Sequence, residues 1–286
     1  MHHDKKKRKE VDIIETESKF INNLLHQITD KVIEHEYKFL PLQYKCLKSR
    51  GQLQKYVRDY SCSINWKIET YIVNNKHKYR TIFRNACNDN LCNICNWQKA
   101  KKNKVLIANT IMDAVYTHKY KIIFLRLSNT AIDCHGLNNS LKGLQKACNT
   151  LLNNRLVKKN IKGYIKKLEI TYNKDTNKYN PHYHIILIMN KDYFKNNFIN
   201  HIIWLNLWRR YTKNPNANIY VQNRINIKGS NIYAFSNYIS KPIIKYKLPI
   251  NQEVFDVLHT CLLGKTILKF SGACKQGASN FKQHCH

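Results

Sequence analysis

The sequence predicts an α+β protein whose core is an antiparallel sheet in the split βαβ arrangement. Two patterns predict it: short apolar or alternating runs that are typical of strands, and stretches with apolar residues three and four apart that are typical of helices. Between about residues 120 and 245 they follow one another in the order β-α-β-β-α-β-α. The first six elements match the split βαβ arrangement, with helices on one face of the sheet. Because this topology hosts many functions, function has to be argued from the site residues.

The first half of this series contains a strand, a helix and a hairpin. Residues 121–128 form a short apolar run, which predicts a central strand. An amphipathic helix is predicted over 139–159, where apolar side chains recur at helical spacing. Residues 164–172 alternate like a strand, 173–178 are polar turn material, and 183–189 are a second strongly apolar strand.

The second half adds two helices and one strand. A period-two strand is predicted over 219–227, and a short helix over 231–241 closes the series. The helix between the hairpin and this strand is predicted over 193–211, with an apolar face formed by Phe194, Phe198, Ile202, Leu205 and Trp208.

The whole chain is organised into four predicted segments. Residues 1–40 hold a basic arm and a helix from Phe20 to Ile33, and 41–104 form a cysteine-rich module. Residues 105–250 contain the predicted sheet, and 251–286 are expected to be a C-terminal tail.

Charge is the strongest signal in the composition. The 49 lysines and arginines outnumber the 18 acidic residues, which gives a formal net charge of +31 spread over the whole length. Such an excess favours a polyanionic partner, DNA or RNA. The alternative is a lysine-rich surface that reflects an AT-rich genome. No apolar run approaches the roughly 20 residues of a membrane span, and the start does not resemble a secretory signal, so a soluble cytoplasmic protein without a membrane partner is expected.

Two histidines stand at the start of the second hairpin strand. His182 and His184 are two apart, so on a strand they point to the same side and could bind a divalent metal together. If Tyr172 lies opposite Pro181, Glu169 lies opposite His184 and adds a carboxylate to the cluster. The alternative is that Glu169 only pairs with the neighbouring Lys166 or Lys167.

The last predicted helix carries Tyr238 and Lys241, which are three apart and therefore neighbours on one helical face. Tyrosine is a poor nucleophile at its ordinary pKa near 10. A metal that polarises a phosphate and a lysine that offsets its charge would make attack by Tyr238 feasible. This spacing is also common in helices without any such function.

A cysteine cluster precedes the predicted sheet. Ten cysteines in a chain without an export signal favour thiols or a metal site over disulfides. Cys87, Cys92 and Cys95, with Cys62 upstream, could close a tetrahedral structural zinc site. His77 is an alternative to Cys62 as the fourth ligand, and buried free thiols are the alternative to zinc.

Three motifs together resemble a known family. Residues 163–173 and then 180–187 resemble the HUH segment of rolling-circle replication initiators from small Gram-positive-type plasmids. Residues 124–128 resemble the first motif of that family, and 237–241 its tyrosine motif, all in the right order over roughly 40–245.

The resemblance implies an HUH endonuclease with a ferredoxin- or RRM-like catalytic domain over 105–250. In that family Glu169, His182 and His184 would hold Mg²⁺ or Mn²⁺. Tyr238 would nick single-stranded or hairpin DNA at a plasmid origin, stay attached to the 5′ end as a phosphotyrosine, and leave a 3′-OH primer. A host helicase and polymerase would be partners in the bacterial cytoplasm.

One position departs from the family pattern. Members often carry a glutamate four residues before the tyrosine, which the resemblance links to ending the reaction; this chain has Ala234. Two other interpretations stay open: a relaxase or single-tyrosine transposase of the same superfamily, and a basic zinc-ribbon protein that binds RNA without catalysis. The second is disfavoured because the strands lack the aromatic pattern on which RNA bases stack.

Overall fold

The computed structural model describes residues 66–73, 76–84, 86–223, 225, 231–241 and 251–284. The chain divides into two compact units, residues 1–87 and 88–286. In the first unit, strands β1 (Trp66–Val73) and β2 (Lys76–Arg84) pair as an antiparallel hairpin. The helix predicted from Phe20 to Ile33 lies outside the described residues.

The second unit alternates helices and strands. A π-helical turn, Asp113–Thr117, follows its first helix, and single helical turns occupy Arg155–Lys158 and Tyr193–Asn196. Its other elements are α1 (Asn93–Met112), β3 (Lys121–Ser128), α2 (Leu137–Asn153), β4 (Ile161–Asn173), β5 (Lys178–Met189), α3 (His201–Thr212), β6 (Asn218–Gln222), α4 (Asn231–Ser240), α5 (Gln252–Leu262), β7 (Leu268–Gly272) and α6 (Ala273–His284).

Five strands of this unit form one sheet in the order β6-β3-β5-β4-β7, and every neighbouring pair is antiparallel. The α+β class and the antiparallel sheet predicted from the sequence are confirmed. Strand β7 was not predicted. It comes from residues 251–286, which were expected to be a tail and instead supply α5, β7 and α6. The predicted boundary between 104 and 105 also differs, because it falls inside α1.

Helices cover both faces of the sheet, whereas the predicted arrangement has them on one face. Helix α2 packs on the face that carries Lys166, whose ammonium donates to the amide oxygen of Asn149 over 3.1 Å. The opposite face packs against α1, α4 and α6. The reason lies in β3 and β5, whose near-continuous apolar runs need burial on both sides. The core on the second face includes Ile107, Ile111, Phe124, Ile165, Ile186, Ile188, Ile232 and Ile239.

A proline lies inside β5, although proline cannot donate a strand hydrogen bond. Tyr179 exchanges both backbone hydrogen bonds with Ile132, at 2.7 and 2.8 Å. Every second residue of β5, counted from Tyr179, directs its backbone groups to the β3 side, so Pro181 does so as well. Pro181 lies just beyond the pair that His182 forms with Ser128, the last residue of β3. Pro181 is therefore tolerated because no partner strand needs its missing N–H.

Two predicted elements differ in extent. The helix predicted over 193–211 is broken, because the side chain of Asn200 accepts a hydrogen bond from the Ile203 backbone over 2.9 Å and so caps a new helix. Of the predicted apolar face, Trp208 is buried, whereas Phe194, Phe198 and Ile202 are exposed. Of the strand predicted over 219–227, the structure has β6 up to Gln222, and residues 224, 226 and 227 lie outside the described residues.

No helix among the described residues is long and apolar enough to cross a membrane.

Candidate active site

Glu169, His182 and His184 come together on one face of the sheet. Their ligand atoms all lie within 4.8 Å of one another, and all three residues are buried. Strand β4 supplies the carboxylate and the central strand β5 both imidazoles, so rigid strands hold all three groups. A carboxylate and two imidazoles form a donor set that suits a divalent cation.

The register of the hairpin differs from the expected one by two residues. Tyr172 lies opposite Tyr179, and Glu169 lies opposite His182 instead of His184. Because the side-chain period of a strand is two, this shift leaves Glu169 on the predicted face. The carboxylate still reaches both rings, with Oε1 3.8 Å from Nε2 of His182 and Oε2 3.8 Å from Nε2 of His184.

A buried lysine belongs to the same cluster. Lys167 lies opposite His184 in the β4–β5 pair, is 3% exposed, and places its Nζ 3.8 Å from Oε2 of Glu169. The pairing of Glu169 with Lys167 was the alternative to a role of Glu169 in the cluster, and the structure has both at once. Lys166 points to the other face. The period of two in β4 could have identified Lys167, because it stands two residues before Glu169.

Electrostatics favour the neutral form of His182. Burial lowers the pKa of this ring, an effect that the Asn180 carbonyl and the Glu169 carboxylate oppose in part. Nδ1 lies 3.0 Å from the Asn180 carbonyl oxygen, which can only accept, so Nδ1 carries the hydrogen. The lone pair is then on Nε2, the atom that faces Glu169, as metal coordination requires.

Tyr238 lies beside the cluster. Its ring centroid is 5.4 Å from that of His184, and the residue is 41% exposed. Buried Phe124 on β3 contacts both rings, with centroids 5.5 Å from His184 and 6.3 Å from Tyr238. Burial, followed by the nearby charge of Glu169, raises the pKa of the Tyr238 hydroxyl. Sequence reasoning gave no role to Phe124, although it lies in the first motif.

Two cationic side chains stand near Tyr238. The Nζ of Lys241 lies 5.6 Å from the centroid of the Tyr238 ring. Arg126 on β3 is the strand neighbour of both His184 and Tyr220. Its charge partly opposes the burial-driven rise in the pKa of Tyr238 and adds to the burial-driven lowering of the pKa of His182. Lys241 was predicted from its spacing. Arg126 was not, because strand pairing is needed to place it.

The cysteine cluster is a second group of potential ligands. The sulfurs of Cys87, Cys92 and Cys95 lie within 4.8 Å of one another. Cys92 caps α1, and its sulfur accepts a hydrogen bond from the backbone of Cys95 over 3.5 Å. Cys62, the fourth predicted ligand, lies outside the described residues. His77, the alternative to it, lies in β2.

The fold and this site together define a class of protein: an α+β protein with a buried carboxylate–histidine cluster and a tyrosine beside it. A family model described as a replication protein, Rep_1, matches residues 79–285. The chain belongs to this replication-protein family, as the three motifs predicted.

Curated proteins support the same family. A "Protein rep" of Staphylococcus aureus is 36% identical over 130 residues, which cover 45% of this chain and 57% of that protein. One from Lactiplantibacillus plantarum is 36% identical over 139 residues, covering 47% and 43%. One from Streptococcus pneumoniae is 27% identical over 200 residues, covering 66% and 61%. The chain thus spans between 43% and 61% of these three relatives. No solved structure matches the chain.

Proposed function

We propose that this chain is a plasmid rolling-circle replication initiator that nicks single-stranded DNA with Tyr238. The observation that carries the proposal is the 5.4 Å between the ring centroids of Tyr238 and His184. It brings a half-exposed phenol next to a buried carboxylate–histidine cluster. A nucleophile and a metal-binding group side by side are what phosphoryl transfer by a weak nucleophile requires.

The fold supports this proposal. The strands that alternate with α2 and α3 take the order β6-β3-β5-β4, in which the first and third strands along the chain are central. This order matches that of a split βαβ sheet, the arrangement that the resemblance links to the HUH nuclease core. We infer that β7 is an addition to that core at the β4 edge.

Glu169, His182 and His184 would hold a divalent cation, Mg²⁺ or Mn²⁺. The donor set fits, because the neutral His182 ring offers Nε2 and all three groups are already held together by two paired strands. When bound, such a cation polarises the scissile phosphate and offsets its charge.

The chemical step assigned to the chain itself is a transesterification. The Tyr238 oxygen forms a bond to phosphorus, the bond from phosphorus to the 3′ oxygen breaks, the phenol gives up its proton, and the departing oxygen gains one. The product is a 5′-phosphotyrosine and a free 3′-OH, so the energy of the phosphodiester is retained for later rejoining. Lys241 and Arg126 would stabilise the extra negative charge of the transition state.

The 3′-OH would prime a host polymerase, with a host helicase separating the strands. Ending the reaction needs a water or a second nucleophile, and the position of the glutamate that the resemblance links to this step is occupied by Ala234, an exposed residue one turn before Tyr238. We infer that termination in this protein uses another group.

Trapping of the covalent adduct tests the proposal. Labelled single-stranded oligonucleotides tiled across the plasmid that carries the gene are incubated with protein and Mg²⁺ or Mn²⁺, and denaturing gels show any linked protein. We expect an adduct with one tile, none with Tyr238→Phe, and an undiminished one with Tyr233→Phe, a matched control on the same helix. An adduct that persists in Tyr238→Phe, or in excess chelator, would refute the assignment.

The cysteine cluster supports a separate proposal. Cys87, Cys92 and Cys95 would bind a structural Zn²⁺, because their three sulfurs already converge and the Cys92-x₂-Cys95 spacing stands at a helix start. Cys62 would be the fourth ligand, with His77 as the alternative.

A further inference from the structure

A basic cavity opens directly beside the Tyr238 site. It has a volume of about 600 Å³ and lies between α1, α4, α6 and β7. Lys167 and Lys241, the two lysines of the site, are part of its wall, so the cavity adjoins the site. Three more lysines line it, Lys99, Lys265 and Lys275, together with Phe270 and several amide and hydroxyl side chains.

A second basic cavity lies on the opposite face of the sheet. Its volume is about 270 Å³. Its floor is formed by Lys166, Leu168 and Tyr183, which alternate along β4 and β5 with the site residues and therefore face the other side of the sheet. Lys166 is only 6% exposed, and Lys269 also faces the cavity. Residues 265–267 line both cavities and so form a common wall.

The common wall lies at the edge of the sheet. Strand β7 begins at Leu268, which is paired with Lys167, and the Ile267 carbonyl accepts from the Leu168 backbone over 2.8 Å. Beyond this point no described strand covers the outer edge of β4. The two cavities therefore lie on opposite faces of the sheet at the same edge, on either side of residues 265–267 at the start of β7.

A third cavity extends the path along α2. It is an open groove of about 680 Å³ that shares Gln145 and Asn149 with the second cavity. Lys142 and Lys146 line it, and Tyr211 lies at its far end. The amides of α2 that face it stand four residues apart, so they form one row along the helix.

The three cavities share one chemistry. No aspartate or glutamate is present among the described residues that line them. Five lysines line the first cavity, three line the second and two line the third. Lysines with interspersed amides and an occasional aromatic ring match the backbone and bases of a nucleic-acid strand. A path that turns round a sheet edge excludes a duplex, whose persistence length is about 150 base pairs.

We propose that these cavities form one track for single-stranded DNA, which runs from Tyr238 round the β7 end of the sheet edge and onto the exposed face of α2. The track deepens the proposed function, on which it rests for the identity of the strand. It would hold the DNA on one side of the nick while the other side is extended or displaced.

Affinity as a function of DNA length tests the track. The probes are oligothymidylates of increasing length, bracketing the roughly 4–16 nucleotides that a single-strand-binding domain covers. Binding is measured by fluorescence anisotropy. We expect affinity to rise with length until the track is filled, and a duplex of the same length to show no such gain.

The far end of the track provides the decisive variant. Lys142→Glu with Lys146→Glu, both at exposed positions of α2, should abolish the gain shown by the long probes and leave the affinity for the shortest probe as it is. The slope of log K against log salt should fall by about 1.4, because each phosphate contact on a single strand contributes about 0.7. Lys142→Gln with Lys146→Gln should reduce the gain in affinity of the long probes by a smaller amount, because this change removes the positive charges without adding negative ones.

A matched control separates the track from net charge. Lys121→Glu with Lys191→Glu changes two exposed lysines at the opposite end of the central strands, outside all three cavities, and should leave the length dependence intact. Equal losses in both double variants, or a length gain that survives in the α2 variant, would overturn the track. If length-dependent binding holds but no tile yields an adduct, the nicking proposal fails and the track remains.

Discussion

Glu169 and His182 face each other across β4 and β5, with 3.8 Å between Oε1 and Nε2. The other carboxylate oxygen lies 3.8 Å from both the Lys167 ammonium and Nε2 of His184. Each of these four side chains is less than a tenth exposed. One buried carboxylate therefore pairs with a buried lysine and, under the proposed function, would also complete a metal-ligand set.

The first prediction separates these two purposes. Glu169→Gln removes a charged partner of a buried lysine, so the free energy of unfolding of the metal-free protein should fall by about 3 kcal/mol. Glu169→Gln combined with Lys167→Met should recover most of that loss, because the buried charge is then gone as well. Urea denaturation of both variants and of Lys167→Met alone completes the cycle. Additive losses would show that the ion pair contributes nothing.

The second prediction concerns the ligand set. His184→Ala should reduce the rate of adduct formation at least about 100-fold and weaken Mn²⁺ binding in calorimetry, while binding to origin DNA stays nearly intact because phosphate contacts dominate it. Lys241→Ala should give only a partial loss.

Combining His184→Ala with Tyr238→Phe should be little worse than either change alone, because groups that act as one unit are not additive. Multiplicative losses in the double variant would mean that the ring and the phenol act in separate steps.

The third prediction is a pH dependence of stability. Because burial lowers the pKa of His182 below its ordinary value of about 6.5, the folded protein binds fewer protons than the unfolded chain near that pH. The stabilisation is therefore present above pH 6.5 and is lost as the pH falls through the folded pKa. Urea unfolding of the metal-free protein at acidic and slightly alkaline pH should show a smaller difference in His182→Asn than in wild type. His118→Asn, at an exposed histidine, is the control and should change nothing.

The fourth prediction concerns zinc. The purified protein should contain one Zn²⁺ per chain by elemental analysis, and Cys92→Ser should lose it and lower the melting temperature. Cys134→Ser, a cysteine outside the cluster, should retain the metal. Wild-type protein without zinc, purified in the absence of chelator, would contradict the proposal.

The fifth prediction restores the missing carboxylate. Ala234 lies on α4 one turn before Tyr238 and is exposed, so a glutamate there would be accommodated. Ala234→Glu should accelerate hydrolysis of the phosphotyrosine by about 100-fold, the contribution of a general base, and Ala234→Gln should not. The decay of a preformed adduct after removal of free DNA measures it. Equal decay in the two variants would exclude activation of water from this position.

Much of the fold was predictable because its strands have strong local patterns. Strand β3 was predicted at its observed bounds, 121–128, and helix α4 within one residue. The hairpin was predicted as well, although its register was displaced by two residues. A polar turn of several residues permits more than one pairing, and only tertiary contacts choose among them.

The remaining differences come from long-range pairing. Strand β7 has no distinctive pattern of its own, and it becomes a strand because β4 offers an open edge about a hundred residues earlier in the chain. Arg126 was missed for a related reason, whereas Lys167 was considered only as an ion-pair partner of Glu169 and not as part of the cluster. The position of Arg126 beside His184 follows from the β3–β5 pairing, which spacing along the chain does not reveal.

The β4–β7 pair also has a consequence for how the protein folds. Gly163 and Gly272 are opposite each other in the antiparallel β4–β7 pair, and any side chain at Gly163 would collide with the backbone of Ser271. The contact joins segments far apart in the chain, so its formation pays a large loop-closure entropy and should come late in folding. Until then the outer edge of β4 can accept a strand from another molecule, which is a route to aggregation during synthesis. Productive expression should therefore depend on how quickly the residues after 250 dock, and co-expressed chaperones that shield strand edges should raise the yield.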